Sequence, residues 1–154
     1  MFKILLVCTG NTCRSPMAAA LLTDMVAKAG MSGKIMVESA GIAAGRQPAS
    51  AGAQSVMRQA GLYLDKHCSQ QLAPAQLESV DLVLTMTVSH KRAVASMSPR
   101  SADKIYTLAE MAGQAGDISD PFGGNEAQYR NCAWQIRQLL MAAWEKIVSL
   151  AGKK

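Results

Sequence analysis

The residues most able to do chemistry lie in one short segment, Val7-Cys8-Thr9-Gly10-Asn11-Thr12-Cys13-Arg14-Ser15-Pro16. It contains Cys-x5-Arg-Ser between an apolar run and a helix-opening Ser-Pro pair. A loop wrapped into a ring aims several backbone N–H groups at one point and makes an anion nest. A helix starting at Ser15-Pro16 adds unpaired N–H groups and the positive end of its dipole. Arg14 supplies a planar fork that matches two phosphoryl oxygens. Gly10 permits backbone shapes closed to most residues. Asn11 tolerates left-handed geometry and can bond to nearby backbone.

The same positive surroundings favour the thiolate of Cys8, which is the nucleophilic form. Ser15 can donate its hydroxyl to that sulfur and help it leave. Together these groups suit two successive displacements through a cysteinyl-phosphate. The residue spacings do not suggest a zinc site. His67 and His90 are not spaced as a ligand pair, and no Cys-x-x-Cys occurs. A proton donor for the leaving group is expected at Asp120, in Ser119-Asp120-Pro121-Phe122-Gly123-Gly124. Pro121 restricts the backbone of Asp120 and helps aim its side chain. Asp117 is the competing candidate.

These residues must be held by regular elements. Phe2 to Val7 reads as a buried parallel strand. Ser15 as N-cap and Pro16 at the first helical position predict a helix through Ala29, closed by Gly30. Further strands are expected at Lys34–Glu38, Asp81–Thr85 and Lys104–Tyr106. Helices are expected at Ala49–Ala60, Leu72–Glu78, Ser89–Met97 and Asn125–Leu150. The last carries an apolar stripe at Tyr129, Ala133, Ile136, Leu140, Ala143, Ile147 and Leu150. Trp134 and Trp144 on it read as packing residues. A Gly-rich loop from Gly113 to Gly124 holds Asp117 and Asp120. Alternating strands and helices predict an α/β three-layer sandwich, with a four-stranded parallel sheet flanked by helices. Its ligand belongs beyond the carboxyl ends of the strands, where Cys8 stands.

The 154 residues suit one domain spanning 1–154, and 49% apolar with 18% charged residues excludes a disordered chain. No apolar run approaches the length of a membrane span. The first residues lack a secretory leader pattern, so the cytoplasm is expected. In that setting the four cysteines are expected as free thiols. The net charge is +5, but Lys and Arg are scattered, which argues for a solvated surface and against nucleic acid. Arg46 reads as a solvated loop residue.

Cys8 to Pro16, Ser39-Ala40-Gly41 and Asp120-Pro121 together resemble the low-molecular-weight protein tyrosine phosphatase family, over nearly the whole chain. The resemblance implies a four-stranded parallel sheet, no cofactor and no metal. It also implies catalytic roles for Cys8, Arg14 and Asp120, with Thr9, Gly10, Asn11, Thr12, Cys13 and Ser15 forming the phosphate loop. It implies that Asn11, Ser39 and His67 form a bonded shell behind that loop; for His67 a surface loop histidine is an equal alternative. The implied partners are phosphorylated proteins, with inorganic phosphate as product and a monomer as the working form.

Two positions depart from the tyrosine-phosphatase pattern. Thr12 stands where an aliphatic residue is usual, and Phe122-Gly123 where two adjacent aromatics are usual. Both resemble the bacterial protein arginine phosphatase branch. A hydroxyl at Thr12 suits a polar guanidinium better than methyl groups do. One aromatic wall fewer weakens stacking on a phenyl ring by roughly 0.5–1.5 kcal/mol. Phosphoarginine is therefore the favoured substrate and phosphotyrosine the alternative. A thiol-redox enzyme of the arsenate reductase type would need relay cysteines, and Cys68 and Cys132 have no close companion. A phosphoprotein-binding module would need neither Cys8 nor Asp120. Cys13 could crosslink to Cys8 under oxidation and shield it; otherwise it is a buried thiol at the helix start.

Overall fold

The computed structural model describes residues 1–154. Four parallel strands are β1 (Phe2–Cys8), β2 (Ile35–Gly41), β3 (Leu82–Thr85) and β4 (Ile105–Thr107), in the order β2-β1-β3-β4. The helices are α1 (Arg14–Lys28), α2 (Ala51–Gln59), α3 (Pro74–Ser79), α4 (Val88–Met97), α5 (Leu108–Met111) and α6 (Glu126–Gly152). A 3-10 turn, Pro99–Lys104, precedes β4.

β1 is apolar on both faces because both are covered. Phe2, Ile4, Leu6 and Cys8 enter the larger core with α1, α2 and α6, while Leu5 and Val7 enter the smaller one with Leu77 of α3 and Val94 of α4. This is the expected three-layer α/β sandwich. The stripe on α6 is buried from Tyr129 to Ile147, whereas Trp134 on its outer face is 65% exposed. α6 opens with a reciprocal capping box between Asn125 and Gln128. No helix is long and apolar enough to cross a membrane.

Three local expectations change. Ser15 is not the N-cap of α1. Cys13 occupies that position without a side-chain capping bond, Ser15 is the second helical residue and Pro16 the third. The Ser15 hydroxyl is used elsewhere. β2 runs three residues beyond Glu38, because Ser39, Ala40 and Gly41 pair in register with Leu6, Val7 and Cys8. The short helix α5 and the 3-10 turn were not foreseen. α5 is a single capped turn, with a box between Thr107 and Glu110 and too few residues to show a period.

Candidate active site

β1 ends at Cys8 and α1 begins at Arg14, so residues 8–14 form a loop at the carboxyl end of the central strand. Asn11 gives the loop its turn. Its φ is 58°, the one left-handed non-glycine residue in the chain. That corrects the expectation for Gly10, which has no positive φ and whose added Cβ would meet only Thr12 Oγ1 at 3.7 Å. The glycine the loop needs is Gly41 on the adjacent strand. A Cβ there would lie 2.5 Å from Thr9 O and 3.0 Å from Asn11 N.

The Asn11 side chain is fully buried and organises the loop. Its Oδ1 accepts from Gln70 N–H at 3.0 Å, which fixes which end of the amide donates. Its Nδ2 then donates to Ser15 Oγ at 2.8 Å and Ser39 Oγ at 3.0 Å. Because Ser15 Oγ accepts from Asn11, its own proton is free for Cys8 Sγ, 2.9 Å away. Asn11 N–H donates to the same sulfur at 3.3 Å. Two donors thus hold the one sulfur in place. His67 belongs to this shell and is not a free loop histidine. Its Nε2–H donates to Asn11 O at 2.7 Å, since a carbonyl can only accept.

Arg14 and Asp120 meet across the mouth of the loop. Arg14 Nη1 donates to Ile118 O at 2.8 Å, and Nη2 lies 3.5 Å from Asp120 Oδ2. The Arg14 side chain is 6% exposed and that of Asp120 49%. A cleft of about 320 Å³ lies between them. Cys8, Thr9, Gly10, Thr12 and Cys13 line it from the loop, Ala43, Gly45 and Gln47 from the segment after β2, and Phe122 from the segment that carries Asp120. Asp117 does not line it. Its Oδ1 accepts from Val88 N–H at the start of α4, so it serves as a helix-end anchor. Ser39 and His67 lie behind the loop, and Arg46 is exposed on its own loop.

Three contributors come from distant segments. Cys13 Sγ touches Ser50 Oγ at 3.2 Å and Tyr129 Oη at 3.4 Å. Burial, with the Cys13 contact adding, pushes the Tyr129 phenol up to about 12, so it stays protonated. His90, at the start of α4, reaches Thr9 Oγ1 with its Nε2 at 2.8 Å. Ser50, expected inside a helix beginning at Ala49, is instead the N-cap of α2, its hydroxyl accepting from Ala53 N–H. His90 sits just past a strand's carboxyl end, the place where fold rules put ligand residues.

The two remaining cysteines are not at the cleft. Burial pushes the Cys132 thiol up to about 12, and it points at Ser119 O. Cys68 is exposed and points at Ser69 O. All four cysteines are free, and no three His, Cys, Asp or Glu side chains are gathered to hold a metal ion.

Comparison with known proteins agrees with this geometry. Residues 3–150 match the family model described as low molecular weight phosphotyrosine protein phosphatase. A protein-arginine-phosphatase of Bacillus subtilis is 40% identical over 139 residues, 89% of this chain and 91% of that protein. One from Geobacillus stearothermophilus is 39% identical over 148 residues, 95% and 96% of the two chains. A solved mutant of the YwlE arginine phosphatase, with a phosphorylated active-site serine, superposes with a TM-score of 0.90 at 37% identity, covering 95% of each chain. A strand-end cysteine in a braced loop before a helix, a match across nearly every residue and these relatives converge on one statement: the chain belongs to the low molecular weight phosphotyrosine protein phosphatase family, whose members are cysteine-dependent phosphatases.

Proposed function

We propose that this enzyme removes the phosphoryl group from phosphorylated side chains of proteins, with phosphoarginine its favoured substrate. Cys8 thiolate attacks phosphorus, and the phosphorus–nitrogen bond breaks. Asp120, protonated for this step, gives its proton to the departing nitrogen. Water then attacks the cysteinyl-phosphate, the phosphorus–sulfur bond breaks, and Asp120 takes the water's proton. Inorganic phosphate leaves. Throughout, Arg14 and the loop N–H groups hold the phosphoryl oxygens, and the Ser15 hydroxyl stabilises the departing thiolate. The observation that carries the reading is Cys8 Sγ, held by Ser15 and Asn11 in a cleft that Arg14 and Asp120 close.

The preference for phosphoarginine draws support from the walls. Thr12 puts a hydroxyl where the substrate's guanidinium would enter, and the half-exposed Asp120 side chain lies where it can hydrogen-bond to the guanidinium nitrogens. Phe122 is the only aromatic residue on the cleft. Gly123, next to it, has φ 80°, a shape that an aromatic residue would adopt only under strain. The relatives named as arginine phosphatases point the same way. We also read the enzyme as a one-domain cytoplasmic monomer that uses no cofactor, metal, nucleic acid or membrane.

The test is turnover of two peptides of one sequence, carrying phosphoarginine or phosphotyrosine. We expect kcat/KM to favour phosphoarginine by a few-fold to about tenfold, and Cys8→Ser to be inactive on both. A ratio at or below one would make the enzyme a tyrosine phosphatase. An active Cys8→Ser would overturn the mechanism.

A further inference from the structure

His90 is 4% exposed, and its Nδ1 is the one buried side-chain nitrogen or oxygen without a hydrogen-bond partner. Its Nε2 lies 2.8 Å from Thr9 Oγ1. Burial first, and the Arg14 charge second, hold the imidazole down to about 4, against the opposing pull of Asp117 and Asp120. The ring is therefore neutral near pH 7 and carries a single N–H. That proton has two possible homes. On Nδ1 it would be a buried donor with no acceptor, which is the costlier fault. On Nε2 it donates to Thr9, and only an unused lone pair is left at Nδ1. The second arrangement wins.

That choice has a consequence for Thr9. Its Oγ1 accepts from His90, so its own hydroxyl proton must point elsewhere. Thr9 is exposed and lines the cleft beside Cys8 and Arg14. The anchor is firm, because His90 N–H is itself held by Thr87 Oγ1 at 3.0 Å in the first turn of α4.

We propose that His90 is a positioning residue whose neutral Nε2–H fixes Thr9, so that the Thr9 hydroxyl donates into the cleft to the bound phosphoryl group. The proposal rests on the phosphatase reading of the Cys8 loop and adds a side-chain donor to its backbone donors. Thr9 touches substrate, and His90 acts through Thr9.

The experiment measures binding of inorganic phosphate to Cys8→Ser protein, which separates binding from turnover. The same backbone then receives Thr9→Val, His90→Leu, both together, and His90→Gln, whose amide N–H can take the place of Nε2–H. Thr9→Val should bind phosphate about tenfold more weakly, as for one hydrogen bond to a charged acceptor. His90→Leu should lose part of that, the double variant no more than Thr9→Val alone, and His90→Gln should recover most of it. In active enzyme the same variants should raise KM more than they lower kcat. Losses that multiply in the double variant would mean that the residues act independently, and the proposal would fall. Unchanged phosphate binding in Thr9→Val would also overturn it while leaving the Cys8 reading intact. No phosphate binding by Cys8→Ser itself would instead strike at the reading of the loop.

Discussion

The two sides of the cleft are built differently. The Cys8 loop is cross-braced, with Cys8, Asn11 and Cys13 buried. Asn11 alone ties together Ser15, Ser39, Gln70 and His67, and Gly41 lets the neighbouring strand press against it. The segment that carries Asp120 is open. Its carboxylate has an ion pair to Arg14 and a local bond from Phe122 N–H at 3.1 Å. The difference follows from the tasks. A phosphate cradle must hold its donors fixed before the reaction, since reorganising them would raise the barrier. A proton carrier must give a proton to one group and later take one from water, so it needs reach and contact with solvent. Arg14 joins the two sides and is buried like the cradle.

The contrast makes its largest demand on paired substitutions. Asp120→Asn removes the proton carrier and should lower kcat by about 10²- to 10⁴-fold. Its stability should stay within about 0.5 kcal/mol of the parent, because a half-exposed ion pair contributes little. Asn11→Ala should behave the other way round. It leaves the buried Ser15 hydroxyl and the half-buried Ser39 hydroxyl without this donor and Gln70 N–H without its acceptor, and should cost about 2–3 kcal/mol of stability, with activity falling alongside. Denaturant unfolding and steady-state kinetics on both variants check this. A strongly destabilised Asp120→Asn, or an Asn11→Ala as stable as its parent, would erase the distinction between a braced wall and an open one.

A smaller effect comes from pH. The ordinary pKa of histidine is about 6.5, and in the fold His90 sits at about 4. Between those values the unfolded chain binds the proton and the folded chain does not. Stability from neutral His90 is therefore full above pH 6.5 and is lost as pH falls toward 4, by about 3 kcal/mol in all. Unfolding of the parent and of His90→Gln across this range isolates the effect, because other titrating groups cancel in the difference. A difference that stays constant with pH would show that His90 is not held neutral by the fold, and would remove one brace of the Cys8 side.

How much of this was legible in the sequence follows the same divide. The Cys8 loop was readable because its strand, turn, arginine and helix are contiguous, and local signals at each step agree. Ser15 was misread in one respect. A hydroxyl before a proline can cap a helix or serve a nearby sulfur, and spacing alone cannot choose. The choice is made by Asn11, whose amide turns the Ser15 proton toward Cys8. Likewise the special backbone shape fell on Asn11 and not on Gly10, since the asparagine side chain gains bonds by adopting it. His90, Tyr129 and Ser50 were not assigned to the site, because only the packing of α4, α6 and α2 brings them to residues 9–13. Asp120 was favoured over Asp117 by Pro121 and the family resemblance, and the bond that holds Asp117 at the start of α4 adds a reason from packing.

The smallest expected effect is also the most specific. Thr12 sits on the braced side of the cleft, and its backbone carbonyl accepts from Ser50 N–H at 3.0 Å, so its position is fixed. Thr12→Ile changes a hydroxyl into a larger methyl surface without touching the bonds on Cys8. It should lower kcat/KM for phosphoarginine and raise it for phosphotyrosine, moving their ratio by a few-fold to about tenfold. A guanidinium loses a polar neighbour there, and a phenyl ring gains an apolar one. If selectivity resides instead on the open side, in Asp120 and Phe122, the ratio will not move with Thr12→Ile but will move with Phe122→Ala. The two variants assayed together on paired peptides assign substrate choice to one wall of the cleft or the other.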